Sequence, residues 1–199
     1  GLAWHAANDS EHDRAIDLLR EALRLQPDHV AAYAALGQRL SEARRFEELA
    51  RWAEGAFPAA DQSAAVWLVR ARMAEHTGDL RAAVRSYWEA ARRAPESKTA
   101  NFRLARLFME IGKPELSAQF TERVGRLQEL EDVQNRFVYS VDYFWELSQS
   151  FEQAGRLWEA YGWCQAVVQS GPRRPDAQLY LGELRSRTEG LPLRLTTDA

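Results

Sequence analysis

The stretch WLVRARMAEHTGDLRAAVRSYWEAARRAP, from Trp67 to Pro95, decides the fold. It contains two segments in which small and apolar residues recur at i, i+4 and i+7, the spacing that places side chains on one face of an α-helix. These residues are Trp67, Ala71 and Ala74 in the first segment, and Ala83, Tyr87 and Ala90 in the second. The small residues predict two helices that pack closely around the aromatic rings.

Gly78 and Asp79 separate the two segments. Glycine closes a helix readily in the left-handed conformation, and an aspartate side chain caps the first turn of the helix that follows. Pro95 ends the second helix, because proline cannot continue a helix interior. The stretch therefore predicts a helix–turn–helix unit.

This pattern recurs along the chain, since Ala71 lies 34 residues after Gly37 and 34 residues before Ala105. The matching positions hold Ala3, Gly37, Ala71 and Ala105 in the first helix of the unit, and Ala15, Leu49, Ala83 and Ser117 in the second. A helix–turn–helix pattern with this period resembles the tetratricopeptide repeat (TPR) family. The resemblance implies an all-α fold, a right-handed α-α superhelix of about five units. We expect this TPR solenoid over residues 1–190 and a C-terminal tail or linker over residues 191–199.

The N-terminal residues predict a truncated first repeat. Residues 1–8 have the spacing of the end of a helix, and Ser10 with Asp13 has the spacing of a capping box for a new helix over residues 11–25. Asp28 is the expected cap of the next helix.

Two departures from the repeat pattern follow in the next units. Gly55 and Pro58 break the second helix of the second unit early, so residues 58–62 are expected to form a loop. Arg70 stands where the family prefers leucine, and we expect it to weaken one joint between helices.

The period slips once, because the next small residue after Ala105 is Ser148, 43 residues later and not 34. The nine extra residues fall near residues 125–141. Apolar residues keep a helical spacing there, namely Leu130, Val133, Phe137, Val141 and Phe144. We therefore expect the helix after Pro114 to run past Arg126, and the helix that contains Trp145 to begin before Val138.

Composition excludes several classes of protein. A formal net charge of −3 argues against a general nucleic-acid binder. The one cysteine, Cys164, allows no internal disulfide and is expected to be a small buried hydrophobe. The sequence has no apolar run long enough to span a membrane, so we expect a soluble protein, in the cytoplasm or the periplasm. A signal peptide is not visible, which says little because Gly1 lies inside a repeat, and for the same reason we expect a piece of a longer chain.

No chemistry-bearing motif is evident in the sequence. The four histidines, His5, His12, His29 and His76, are scattered without the spacing of metal ligands. A glycine-rich phosphate loop, a nucleophile elbow and a zinc-type cluster are all missing. We therefore expect no catalytic residues, no metal and no cofactor.

The resemblance implies a concave groove lined by the first helix of each unit. The residues predicted to bind a partner there are Gln38, Leu68, Arg72, Phe102, Arg103, Arg106, Trp145 and Gln149. Aromatic and arginine side chains are typical of binding hot spots, but they also join neighbouring repeats, so the alternative is that Phe102 and Trp145 only pack inside the solenoid. Some family members hold a C-terminal carboxylate with Lys and Asn in these columns, and this chain lacks both there.

Charge is ordered along the predicted groove. Arg72, Arg103 and Arg106 make its middle basic, and its C-terminal third is acidic through Asp142, Glu146, Glu152, Asp176 and Glu183. We therefore expect a bipolar protein or peptide ligand whose acidic part lies over Arg72 and Arg106. The alternative is that these arginines pair with Glu75 and Glu110 and touch no ligand.

The sequence thus favours a non-catalytic scaffold that binds a peptide segment or partner domain in its groove. The alternative is a regulatory TPR module of a larger enzyme or sensor that docks another domain of the same chain. A helical-repeat RNA binder is disfavoured by the net charge.

Tyr87 should be buried between its own helix pair and the next unit. Replacing Tyr87 with Ala should lower the free energy of unfolding by about 3 kcal/mol, as for other large-to-small core substitutions. Thermal and urea denaturation of the two proteins measure the difference. Unchanged denaturation would mean that the repeat register is wrong.

Overall fold

The computed structural model describes residues 2–136, 140–170 and 175–191, with side chains from residue 11 onward except that of Pro175. These residues form ten α-helices, one 3₁₀ helix and no strand, which confirms the all-α fold class. The helices are α1 (Leu2–Leu25), α2 (Val30–Glu42), α3 (Phe46–Glu54), α4 (Ala64–His76), α5 (Leu80–Arg93), α6 (Lys98–Glu110), α7 (Pro114–Asn135), α8 (Val141–Gln153), α9 (Leu157–Ser170) and α10 (Pro175–Thr188), with the 3₁₀ helix at Pro58–Gln62. The chain forms two compact units, residues 1–121 and residues 122–199.

The turn between α4 and α5 has the predicted chemistry. Gly78 adopts the left-handed conformation with φ +75°, and Asp79 Oδ1 accepts a hydrogen bond of 2.9 Å from the Ala82 N–H. Ser97 caps α6 in the same manner, since its Oγ accepts from the Ala100 N–H at 3.3 Å. Each cap satisfies one of the backbone donors that the first turn of a helix leaves unpaired.

Three predicted boundaries in the N-terminal repeats are wrong. Helix α1 runs without a break from Leu2 to Leu25, because no glycine or proline interrupts the backbone at the predicted cap. The cap of α2 is His29, whose Nδ1 accepts from the Ala32 N–H at 3.2 Å, one residue after the expected Asp28. Residues 58–62 form a 3₁₀ helix and not an open loop, with Pro58 in its first turn.

The nine extra residues lengthen one helix only. Helix α7 extends to Asn135, which confirms that it runs past Arg126. Helix α8 begins at Val141 and not before Val138, so this half of the prediction is wrong. Ser140 is extended at φ −147°, and its Oγ accepts from the Tyr143 N–H at 3.1 Å, which fixes the start of α8. Phe137 and Val138 lie outside the described residues.

The first core of the N-terminal unit is built on Tyr33 and Trp52. Their rings stack at 4.6 Å, Trp52 Nε1 donates to the Tyr33 carbonyl at 2.8 Å, and the Tyr33 hydroxyl donates to the Trp52 carbonyl. Gly37 lies against the indole, because a Cβ at this residue would come within 2.6 Å of two Trp52 ring atoms. The absence of a side chain at Gly37 therefore permits helices α2 and α3 to approach this closely.

Tyr87 lies in the second core, where it is 0% exposed, as predicted. It packs with fully buried Ala71, Ala83 and Leu104, so small residues of α4 and α5 make room for its ring. The same cluster includes two buried rings, Phe108 of α6 and Phe120 of α7, which stack with their centroids 5.5 Å apart.

Arg70, which was expected to weaken a joint between helices, has two partners in the structure. Its Nη1 lies 2.7 Å from Asp61 Oδ1, and its guanidinium lies over the Trp67 ring at 4.6 Å. Trp67 Nε1 in turn donates to the Asp61 carbonyl at 2.8 Å, and Arg93 lies over the same indole ring at 5.1 Å. Arg70 therefore pairs with one side chain and stacks on another.

The second unit has its own core, which includes Cys164. This thiol is fully buried and donates to the Ala177 carbonyl at 3.4 Å, and burial raises its pKa. Ser148, the small residue of the shifted repeat, is also buried, and its Oγ donates to the Ala160 carbonyl at 2.7 Å. The expectation that Cys164 is a structural residue is therefore confirmed.

Replacing Gly37 with Ala should destabilise the protein by about 1–3 kcal/mol, because the new methyl group overlaps the Trp52 ring and also meets Val69 at 3.0 Å. Urea denaturation followed by circular dichroism measures the loss. Gly55 is the matched control, since it has φ −81° and its nearest atoms lie at 3.6 Å, so its replacement with Ala should change stability by less than about 0.5 kcal/mol. Equal stability of the two variants would contradict the close approach.

Candidate functional site

Three residues of α6 form an exposed stripe, Phe102, Arg106 and Met109. Their spacing of four and three residues places them on one helix face. Phe102 is 52% exposed and Met109 is 59% exposed, whereas Leu104 and Phe108 on the opposite face are buried. Phe102 has no ring contact with another described residue.

Arg106 carries an unneutralised charge in the middle of this stripe. It is exposed, and it has no carboxylate partner within the described part of the chain, the predicted alternative Glu110 included. Most arginines of this unit differ in this respect, because Arg39, Arg45 and Arg70 each pair with a carboxylate. Arg106 is therefore available to an anionic group from outside.

On α4, Leu68 and Arg72 are one turn apart. Leu68 is half-buried against the Tyr87 cluster, so only part of its side chain is available to a partner. Arg72 is also half-buried, and it forms no ion pair with any described residue. Arg72 borders a cavity of about 380 Å³ together with residues of α2 and the turn after it.

Arg103 is engaged inside the protein, because it is Arg103, and not Arg72 or Arg106 as the predicted alternative has it, that pairs with Glu75. Its Nη1 lies 3.4 Å from Glu75 Oε1, while Glu75 Oε2 accepts a hydrogen bond of 2.6 Å from the Tyr87 hydroxyl. Burial raises the pKa of Tyr87 strongly, and the hydrogen bond to Glu75 and its negative charge raise it further. Arg103 thus ties α6 to α4 through Glu75.

Gln38 also has an internal partner. It is exposed, and its Nε2 donates to Glu42 Oε1 at 2.8 Å, one turn further along α2. Glu42 accepts in addition from Arg39 at 3.0 Å. The amide of Gln38 therefore contributes to a surface network of α2 before any partner is bound.

The predicted residues of α8 belong to the second unit. Trp145 is half-buried and meets the Tyr180 ring edge-to-face at 5.2 Å, so the packing alternative applies to it. Gln149 is exposed. Two predicted acidic residues are already paired, because Glu146 bonds to Arg136, and Glu152 accepts from Arg187 and from the Tyr180 hydroxyl.

No group of three or more His, Cys, Asp and Glu side chains within the described residues is arranged to hold a metal ion. Likewise, none of the helices in the described ranges has both the length and the apolar character that a bilayer crossing requires.

The sequence matches the tetratricopeptide repeat family over residues 2–170. The chain belongs to this family. Tetratricopeptide repeat proteins are in general modules for protein–protein interaction. No curated protein sequence matches the chain significantly.

Solved TPR structures resemble this TPR chain in fold. A crystal structure of MamA is 14% identical, covers 96% of this chain and 91% of its own, and gives a TM-score of 0.51. YrrB, described as a TPR protein with an unusual peptide-binding site, is 16% identical over 87% of this chain and 84% of its own, with a TM-score of 0.51. PilF of Pseudomonas aeruginosa is 18% identical over 94% and 82%, with a TM-score of 0.53. At these identities the likeness shows the fold alone.

One residue that the sequence reasoning missed stands out against the TPR pattern. Gly78 and Gly112 end the first helix of successive repeats in the left-handed conformation, at φ +75° and +73°. The same position 34 residues earlier is Arg44, at φ +56°. The repeat spacing alone would have revealed it, since a large charged residue replaces glycine at a fixed place in the repeat.

The raised pKa of Tyr87 predicts a loss of stability in alkali. Its ordinary pKa is 10.0, so above this pH the unfolded chain loses the Tyr87 proton while the folded protein retains it, and unfolding becomes more favourable. Between neutral pH and about pH 11, the free energy of unfolding should fall by about 1.4 kcal/mol more in the wild type than in a Tyr87→Phe variant.

Urea denaturation at the two pH values measures this difference. Tyr33 and Tyr180 also have raised pKa values because of burial, so both proteins should lose some stability in alkali. Only the difference between wild type and Tyr87→Phe reports on Tyr87. Identical losses in the two proteins would contradict the burial of the Tyr87 hydroxyl.

Proposed function

We propose that this TPR chain is a non-catalytic scaffold that binds a segment of a protein partner along helices α4 and α6. The observation that supports this most directly is the exposed stripe on α6, where two large apolar side chains, Phe102 and Met109, flank the unpaired Arg106. Single exposed apolar residues are common, but an aromatic ring, a methionine and a free guanidinium on one helix face are typical of binding hot spots.

Phe102 is the proposed apolar anchor. Its ring is about half exposed, so a partner that covers it removes the remaining apolar surface from water. Full burial of a phenylalanine side chain contributes about 1.5–3 kcal/mol, so covering the exposed half of Phe102 would contribute roughly half of that. Met109 adds a flexible apolar surface on the other side of Arg106, and methionine adapts well to partners of varied shape.

Arg106 and Arg72 are the proposed contacts for the acidic part of the ligand. A guanidinium binds a carboxylate through two parallel N–H···O bonds, and such charge-assisted bonds are about twice as strong as neutral ones. Arg103 is not part of this contact set, because Glu75 already holds it. Instead it fixes α6 against α4 and so positions the stripe.

The second unit, taken by itself, has a candidate surface for a basic segment on α10. Asp176 and Glu183 are both exposed there, and Leu179 between them is 74% exposed. Glu146 and Glu152 are poorer candidates, since a ligand would have to compete with the arginines that they already bind.

Selection of peptides on the purified chain, followed by isothermal titration, tests the proposal. Acidic peptides with an aromatic or aliphatic residue should be enriched. Phe102→Ala should weaken their binding by about tenfold, and Arg72→Glu combined with Arg106→Glu should abolish it, because each reversal replaces an attraction with a repulsion. Circular dichroism should show unchanged helicity.

Arg81→Glu combined with Arg85→Glu is the matched control. These two arginines are exposed on α5, and the variant changes the net charge of the chain by the same amount. Its affinity should stay within about twofold of the wild type, because long-range charge effects are screened by salt. Equal affinity of the wild type and the Arg72/Arg106 variant would reject the proposed face.

A further inference from the structure

A cavity of about 380 Å³ lies where the turn after α2 meets the C-terminal end of α4. Its lining is mainly polar and includes two arginines. The residues are Ser41, Glu42, Arg44, Phe46, Arg72 and His76. Of these, only Arg72 belongs to the face proposed above, so the cavity is largely a separate feature of the first unit.

Arg44 holds an unfavourable backbone conformation at this cavity. Its φ of +56° lies in the left-handed region, which costs a residue with a Cβ about 1–2 kcal/mol relative to glycine. The equivalent positions in other repeats avoid the cost, since Gly78, Gly112 and Gly155 hold φ values of +75°, +73° and +77°. Strained conformations of this kind cluster at functional sites, which directs attention to the Arg44 side chain.

The positive charge of the cavity is not neutralised from within. Neither Arg44 nor Arg72 forms an ion pair with any residue that the structure describes. The one carboxylate of the lining, Glu42, is already bound by Arg39 at 3.0 Å and by the Gln38 amide at 2.8 Å. Arg44 and Arg72 therefore both border this cavity, and neither is held by a carboxylate of the described chain.

His76 adds a further donor in a fixed orientation. Its ring lies parallel to that of Phe46, with centroids 3.4 Å apart and planes 6° apart. The stack holds the imidazole at the cavity wall, on the same helix as Arg72 and one turn further along. Ser41, from the last turn of α2, borders the cavity as well.

We propose that this cavity binds a phosphate group carried by a side chain of a protein partner. Guanidinium forks match the geometry and charge of phosphate, and Arg44, Arg72, His76 and Ser41 surround the cavity from three elements of the fold. Three phosphate oxygens suit donors that converge from several directions better than the two coplanar oxygens of a carboxylate do. The claim that a protein partner carries the phosphate rests on the proposed function, whereas the claim that the cavity binds phosphate does not.

Titration with inorganic phosphate at fixed pH and ionic strength, followed by NMR of the His76 ring and the arginine Nε–H groups, tests the cavity. The signals should shift saturably with phosphate. Sodium acetate at the same ionic strength should bind at least about tenfold more weakly, because it offers fewer oxygens and less charge. Equal shifts with acetate, or shifts that never saturate, would overturn the phosphate assignment.

Two variants separate binding from folding. Arg44→Gly restores the glycine of the other repeats, so it should keep or raise the melting temperature while weakening phosphate binding by about tenfold. Arg72→Gln should weaken binding to a similar extent, and Arg81→Gln, which removes an exposed arginine of α5, should leave it unchanged. Undiminished binding to Arg44→Gly would overturn the inference.

A phosphoserine peptide distinguishes the source of the phosphate. N-acetyl-phosphoserine N-methylamide should bind at least as tightly as inorganic phosphate, and the matching serine compound should not bind. If inorganic phosphate binds and the phosphoserine compound does not, the proposal that a protein side chain carries the phosphate is wrong. If peptide selection finds no ligand for the face along α4 and α6, the phosphate titration can still succeed. The two proposals can therefore be rejected independently.

Discussion

The N-terminal unit depends on a close approach of helices that a side chain at Gly37 would prevent. A Cβ there would overlap the indole of Trp52, which in turn stacks on Tyr33 and exchanges two side chain–backbone hydrogen bonds with it. Ala71 and Ala105 are the small residues that follow at the same repeat position, and both are buried. Protein interiors are close-packed, so large rings are accommodated only where the facing helix is correspondingly small.

This packing decides which surface residues remain available. Arg103 and Arg106 are three residues apart on α6, yet one pairs with Glu75 and the other has no carboxylate partner in the described chain. Glu75 is held in place by the buried hydroxyl of Tyr87, so a core residue determines which arginine is neutralised. The side chains that remain available to a partner are those that the core does not already hold.

The same logic applies to the turns. Three turns use glycine for the left-handed conformation, and Arg44 occupies the equivalent place in an earlier repeat at a backbone cost. Natural sequences depart from local rules mainly where another requirement outweighs them. Around Arg44 the accompanying features are a polar cavity, the unpaired Arg72 and the stacked His76.

Much of the fold could be predicted from the sequence, because each repeat carries its own local signals. The Gly78–Asp79 turn, the buried Tyr87 and the long helix after Pro114 all follow from glycine conformation, capping and apolar spacing within a few turns of the chain. The start of α8 could not be predicted in this way, because the apolar residues keep a helical spacing across Ser140, which is extended in the structure.

The candidate site, like the fold, could be predicted from the sequence only in part. The sequence alone indicated Phe102 and Arg106, since their place in the repeat puts them on the first helix of a unit and away from its buried face. Only the tertiary structure showed that Arg103 is held by Glu75, that Trp145 packs on Tyr180, and that Arg70 supports Trp67. Ion pairs and ring contacts join residues as far as 35 positions apart, and local periodicity contains no information about which of them meet.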